Sequence, residues 1–263
     1  MIIVSSRRDF TNSDNLCQEE HIIREVDLKD DKTLNTYSTK ELANAITGKN
    51  ICILVHGYNN EFFEVCDAYQ IMETEIHTNL PNTYDEVIGY TWPGGDHKLE
   101  WWDAKSRANA VARRFRQLLE TLQNNSTIDI ISHSLGARVS LKALKEASTT
   151  LVRNYYCMAG AVDNECLEYN EEFFPALNSA GRIFVMHSAR DEVLAAAYRA
   201  AELDNAIGLF GPEDKNSVES SKNIYVANCK AVISSHGAYK RSEAIFRYIG
   251  GTHTTSPNKY VTL

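Results

Sequence analysis

The sequence predicts an α/β domain built on a mostly parallel central sheet with helices on both faces. Three observations carry this expectation. Short apolar runs of strand length alternate with longer stretches of helical periodicity. Several of those runs are apolar throughout, as strands buried on both faces require. The length of 263 residues, 43% of them hydrophobic, is enough for one α/β core. No internal repeat, low-complexity segment or linker divides the sequence.

Residues 1–48 are the least regular part, with one candidate strand in HIIREVDL (21–28). This N-terminal extension is expected to add antiparallel edge strands to the same sheet. ICILV (51–55) is an unbroken strand run, and the segment after it repeats Phe62, Val65, Cys66, Tyr69, Met72 and Ile76 at helical spacing. VIGYTW (87–92) is the next strand. The stripe Ala108, Val111, Ala112, Phe115, Leu118, Leu119 and Leu122 that follows is the clearest helix in the chain. TIDIIS (127–132) then runs into a helix whose Ala137, Leu141 and Leu144 share a face. Strands at 152–160, 182–188 and 223–229, a helix at 191–203 and a last helix over about 238–249 complete the pattern. Residues 251–263 read as a C-terminal tail, a surface strap or frayed end.

A formal charge of −8 argues against nucleic acid or an anionic membrane as partner. The six cysteines (17, 52, 66, 157, 166, 229) contain no CxxC pair, and those in strand runs behave as small hydrophobes. The apolar start of MIIVSSRRDF is too short for a signal-peptide core, and no run approaches the roughly 20 apolar residues of a membrane helix. A cytoplasmic protein is expected.

The chemistry centres on Ser132-His133-Ser134-Leu135-Gly136, which lies between a strand and a helix. A serine on a sharp strand-to-helix turn projects its hydroxyl clear of the sheet. The residues two before and two after must be small, because the turn brings the two backbones together. Ser134 has Ser132 and Gly136 at those positions, whereas Ser132 would have the branched Ile130. Ser134 is therefore the candidate nucleophile, and helix capping is the alternative role for it.

A serine hydroxyl needs a base, and the base needs a group to orient it. With such an elbow the expected chain order is Ser, acid, His, each after a strand. His236 follows the strand ending near Cys229 and precedes the last helix, so it is the candidate base, while His253 lies in the polar tail. Asp191 follows the strand at 182–188 and opens a helix. It is favoured as the acid over Asp163, with Glu192 a weaker option. The oxyanion donors are expected to be the backbone N–H groups of Leu135 and, in LVHGYNN (54–60), of Tyr58, with His56 pinning that loop.

These motifs carry a resemblance. The chain resembles the α/β-hydrolase fold superfamily and, more narrowly, a bacterial family of α/β hydrolases of unknown function (domain of unknown function 900). Members of that family share LVHGYN (here Leu54 to Asn59), YTWP (Tyr90 to Pro93) and an HSxG elbow (His133 to Gly136). The resemblance covers roughly residues 50–250, with residues 49–250 as the catalytic domain. It implies a Ser-Asp-His triad and esterase-like or lipase-like activity.

The expected reaction is hydrolysis of a small-molecule carboxylic ester through an acyl-enzyme. Thioester or amide hydrolysis and acyl transfer are alternatives on the same triad, and a non-catalytic binding module is the alternative of another class. No HExxH, P-loop or GxGxxG is present, and the chemistry requires no metal or organic cofactor. Trp92, Trp101 and Trp102, in and beside PGGDHKLEWWDA, either overhang the site as part of an apolar pocket or pack the loop onto the sheet. The segment at 205–221 is a lid or a surface loop.

Overall fold

The computed structural model describes residues 1–18, 20–30, 32–97 and 100–263. In chain order the elements are β1 (Ile2–Ser5), β2 (Ile22–Asp27), β3 (Lys32–Tyr37), α1 (Thr39–Ala45), β4 (Asn50–Val55), α2 (Phe62–Asn79), β5 (Glu86–Thr91), α3 (Trp101–Leu122), β6 (Thr127–His133), α4 (Gly136–Lys145), β7 (Val152–Met158), β8 (Ala180–His187), α5 (Arg199–Glu202), α6 (Ile207–Phe210), α7 (Lys215–Ser220), β9 (Ile224–Asn228), α8 (Glu243–Thr254) and β10 (Tyr260–Thr262). A π-helical turn, Leu194–Tyr198, leads into α5, and 3-10 turns cover Phe174–Asn178 and His236–Arg241.

The strands of the described residues form one sheet in the order β10-β9-β8-β7-β6-β4-β5-β1-β2-β3. From β10 to β1 every neighbouring pair is parallel, and β2 and β3 close the edge antiparallel. Chain direction across the sheet reverses at β4: the crossover through α2 leads to β5 on one side, while those through α3 and α4 lead to β6 and β7 on the other. Right-handed crossovers then put α2 on one face and α3 with α4 on the opposite face. Helix stripes follow from this. Ala108, Val111, Ala112, Phe115, Leu118, Leu119 and Leu122 of α3 are all buried, as are Val65, Cys66, Tyr69, Met72 and Ile76 of α2. The carboxyl ends of β4 and β6 flank the reversal, which is where open α/β sheets bind ligands.

Three sequence expectations change. The N-terminal extension does more than add antiparallel edge strands, because β1 is fully buried and runs parallel to β5, pairing Ile2 with Ile88. Residues 251–263 are not a frayed strap: α8 continues to Thr254, and Tyr260–Thr262 pairs in parallel with Val226–Asn228. The segment at 205–221 is docked: Ile207 N donates to Val162 O (2.8 Å), Gly208 N donates to Gly160 O (3.0 Å), and Ile207, Gly208 and Leu209 are buried. No helix among the described residues is long and apolar enough to cross a membrane.

Candidate active site

At the end of β6 the backbone of Ser134 turns to φ +55°, a left-handed conformation that non-glycine residues rarely adopt. The turn is held from both sides. Ser134 N donates to Met158 O (3.0 Å), and Ser134 O accepts from Ala137 N (3.0 Å) and Ala161 N (3.1 Å). Over-determination of this kind keeps a strained residue in place. Gly136 lies so close to the end of β4 that a Cβ there would stand 2.5 Å from His56 O and 2.7 Å from Val55 O. Serine at position 132 is tolerated because its hydroxyl is within 2.7 Å of Tyr155 Oη on β7, deep in the core.

His236 and Asp191 meet. His236 Nδ1 lies 2.7 Å from Asp191 Oδ2, with the aspartate fully buried and the imidazole side chain 16% exposed. A carboxylate only accepts, so Nδ1 carries a proton, and in the neutral ring Nε2 is the nitrogen with the free lone pair. The other Asp191 oxygen accepts from Leu194 N (3.0 Å), so the aspartate also caps the helix it opens. Asp163 is engaged elsewhere, accepting from Tyr198 Oη at 2.5 Å, and Glu192 is exposed.

His133 links the pair to the elbow. Its Nε2 donates to His236 O (2.9 Å), and the two rings stand 4.6 Å apart between centroids. Burial, followed by the charges of His236 and Lys240, holds His133 well below the usual imidazole range and so neutral. No hydrogen bond joins Ser134 Oγ to the His236 ring among the described residues; the connection runs through His133. His253 lies at the opposite end of the sheet, 3.4 Å from Asp129 near the start of β6.

The loop after β4 presses on the elbow, since a Cβ on Gly57 would stand 2.8 Å from Ser134 Cβ. Leu135, fully buried, directly follows the turn. Tyr58 is half-buried, and its ring packs edge-on against Trp101 at 5.5 Å. Trp101 in turn packs edge-on against Tyr198 at 5.5 Å and donates through Nε1 to Glu202 Oε1 (2.7 Å). Trp92 corrects an expectation: it lines no groove, being fully buried, stacked on His56 at 5.5 Å and donating through Nε1 to His56 O (2.9 Å). It packs its loop onto the sheet because an indole in the core needs an acceptor for its N–H. Trp102 is 60% exposed, with the Lys105 ammonium 5.2 Å from its ring centre.

Sequence reading missed Arg7. Its guanidinium is fully buried and bonds across to the loop after β4, but its partners are mainly carbonyl oxygens far along the chain, which no motif signals. Asp96, His97 and Glu100 offer ligand atoms within 4.8 Å of one another. Asp96 already accepts from Ser13 Oγ and Glu100 from Arg107 Nη2, so these carboxylates read as a solvated ion-pair cluster.

A family model for "Alpha/beta hydrolase of unknown function (DUF900)" matches residues 31–239. The chain belongs to this α/β-hydrolase family. No curated protein matches it. Among solved structures, a lin2722 gene product from Listeria innocua is similar at 10% identity and TM-score 0.48, over 82% of this chain and 98% of that one. Est1E from Butyrivibrio proteoclasticus is similar at 11% identity and TM-score 0.46, over 91% and 97%. TT1662 from Thermus thermophilus is similar at 12% and 0.45, over 91% and 95%.

Proposed function

We propose that this α/β hydrolase is a serine hydrolase that cleaves a carboxylic ester through an acyl-enzyme. Ser134 Oγ attacks the ester carbonyl carbon and gives its proton to His236 Nε2. Asp191 holds the imidazole in the reactive tautomer and balances the imidazolium that forms. The N–H groups of Leu135 and Tyr58 receive the developing oxyanion. Collapse of the tetrahedral intermediate breaks the bond to the alkoxy group, which leaves with the proton from His236. Water, deprotonated by His236, then attacks the acyl carbonyl, and Ser134 departs with the returned proton. Tyr58 and Trp101, both only partly buried, are the aromatic side chains beside the Tyr58 N–H against which a substrate would pack.

The observation that carries this reading is the 2.7 Å Asp191–His236 bond, on loops of the sheet's carboxyl edge where Ser134 sits at φ +55°. Fluorophosphonate labelling, located by mass spectrometry, is expected at Ser134 and lost in Ser134→Ala. A panel of p-nitrophenyl esters of graded length, set beside thioester and amide panels, reads the substrate class. An unlabelled wild type with no turnover on any panel would overturn the proposal.

A further inference from the structure

The peptide between Gly57 and Tyr58 is oriented by an imidazole. His56 Nδ1 lies 2.6 Å from Gly57 O, and a carbonyl oxygen only accepts, so Nδ1 bears the proton. In a planar trans peptide the N–H of Tyr58 points opposite to the Gly57 carbonyl. Pinning that carbonyl therefore aims the Tyr58 N–H. The imidazole is fixed from its other nitrogen, because Nε2 accepts from Trp92 N (3.1 Å) and faces Arg7 Nη2 at 3.4 Å. With donors on that side, Nε2 must stay unprotonated.

Arg7 reaches the same loop a second way. Its Nη2 donates to Asn60 O (3.0 Å), and the Asn60 side chain donates to Tyr58 O (2.6 Å), so the carbonyls on both sides of the Tyr58 N–H are held. The guanidinium is itself anchored by Nε to Trp92 O (3.0 Å) and Nη1 to Thr11 O (3.2 Å). It is fully buried, and no carboxylate lies within 4.0 Å of it among the described residues. A buried cation with no carboxylate in contact is costly, and Asp14 and Asp96 act on it only from beyond ion-pair distance.

From this geometry we infer that Arg7 is a positioning residue of the catalytic centre: through His56 and Asn60 it sets the peptide plane that presents the Tyr58 N–H to the oxyanion. The inference rests on the serine-hydrolase reading for its kinetic consequence. Arg7, two residues past the end of β1, precedes residues 31–239, the span matched by the family model, so the loop after β4 leans on a side chain outside that match. Burial and the neighbouring Arg7 charge hold His56 well below the usual imidazole range, in keeping with a neutral Nδ1–H ring.

The test compares wild type, Arg7→Lys and Arg7→Met with a p-nitrophenyl ester, counting active sites by fluorophosphonate stoichiometry. Each labelled site in the variants is expected to turn over about 10- to 100-fold more slowly, the scale of a misplaced oxyanion donor, with KM changed less than about threefold. A purely structural arginine would lower the number of labelled sites and leave kcat per site unchanged, which would overturn the inference. Independently of turnover and of any variant, nitrogen-15 NMR of the wild type is expected to show His56 as the neutral Nδ1–H tautomer at pH 6. An imidazolium or Nε2–H form at pH 6 would overturn it. A wild type that neither labels nor hydrolyses refutes the hydrolase reading, and with it the kinetic role of Arg7. A reactive wild type with normal Arg7 variants refutes this inference alone.

Discussion

Ser134 is held at φ +55° by the surrounding backbone, and its side chain takes no part in the hydrogen bonds that hold the turn. Ser134→Ala is therefore expected to abolish ester turnover while leaving the urea midpoint close to wild type. Asp191→Asn is expected to lower kcat on the order of 10⁴-fold, because an amide orients the wrong tautomer of His236; steady-state kinetics at matched folded fraction checks it. Ser132 has a different job. Ser132→Ala removes the buried hydrogen bond to the Tyr155 hydroxyl and is expected to cost about 1 kcal/mol in chemical denaturation, with kcat little changed. The Asp191–His236 pair and the strained turn at Ser134 were legible in the sequence because each residue follows a strand, and strands are readable from apolar runs. The burial of Trp92 was not, because an indole after a strand reads the same whether it faces a groove or the core. Only the acceptor His56 O, thirty-six residues back in the chain, decides the matter.

At the scale of elements, the elbow depends on how closely α4 approaches β4. Gly136→Ala would drive a Cβ against two main-chain oxygens that cannot move independently of the strand. A loss of about 1–3 kcal/mol is expected from the overpacking, together with slower fluorophosphonate labelling as the elbow shifts. Wild-type labelling at wild-type stability would show that the helix is free to withdraw. The long helices were legible because their stripes repeat many times, as in α3. Short strands were not: β10 has three residues and β1 four, too few for periodicity, and each exists through pairing with a partner remote in sequence. The helix at 191–203 was read as regular, and its π-helical turn at Leu194–Tyr198 leaves no mark in an alanine-rich segment.

For the molecule as a whole, several histidines are stored uncharged. Burial pushes His21 down to about 4 and holds His56 and His133 well below the usual value of 6.5. Below pH 6.5 the unfolded chain binds these protons and the folded one does not, so stability rises with pH across this window and is lost as pH falls. Each such histidine contributes a slope of up to about 1.4 kcal/mol per pH unit. The urea midpoint is expected to be lower at pH 5 than at pH 7.5, and equal midpoints would show that these rings are already protonated in the fold. The placement of β1 also bears on how the protein is made. Its parallel neighbour β5 begins at residue 86, so on the ribosome β1, even once paired with β2, waits for more than eighty residues before its other edge is covered. Such distant pairing is slow and leaves sticky surface uncovered meanwhile. The nascent chain is thus most in need of shielding just when the segment bearing Arg7 has emerged but the rest of the sheet has not.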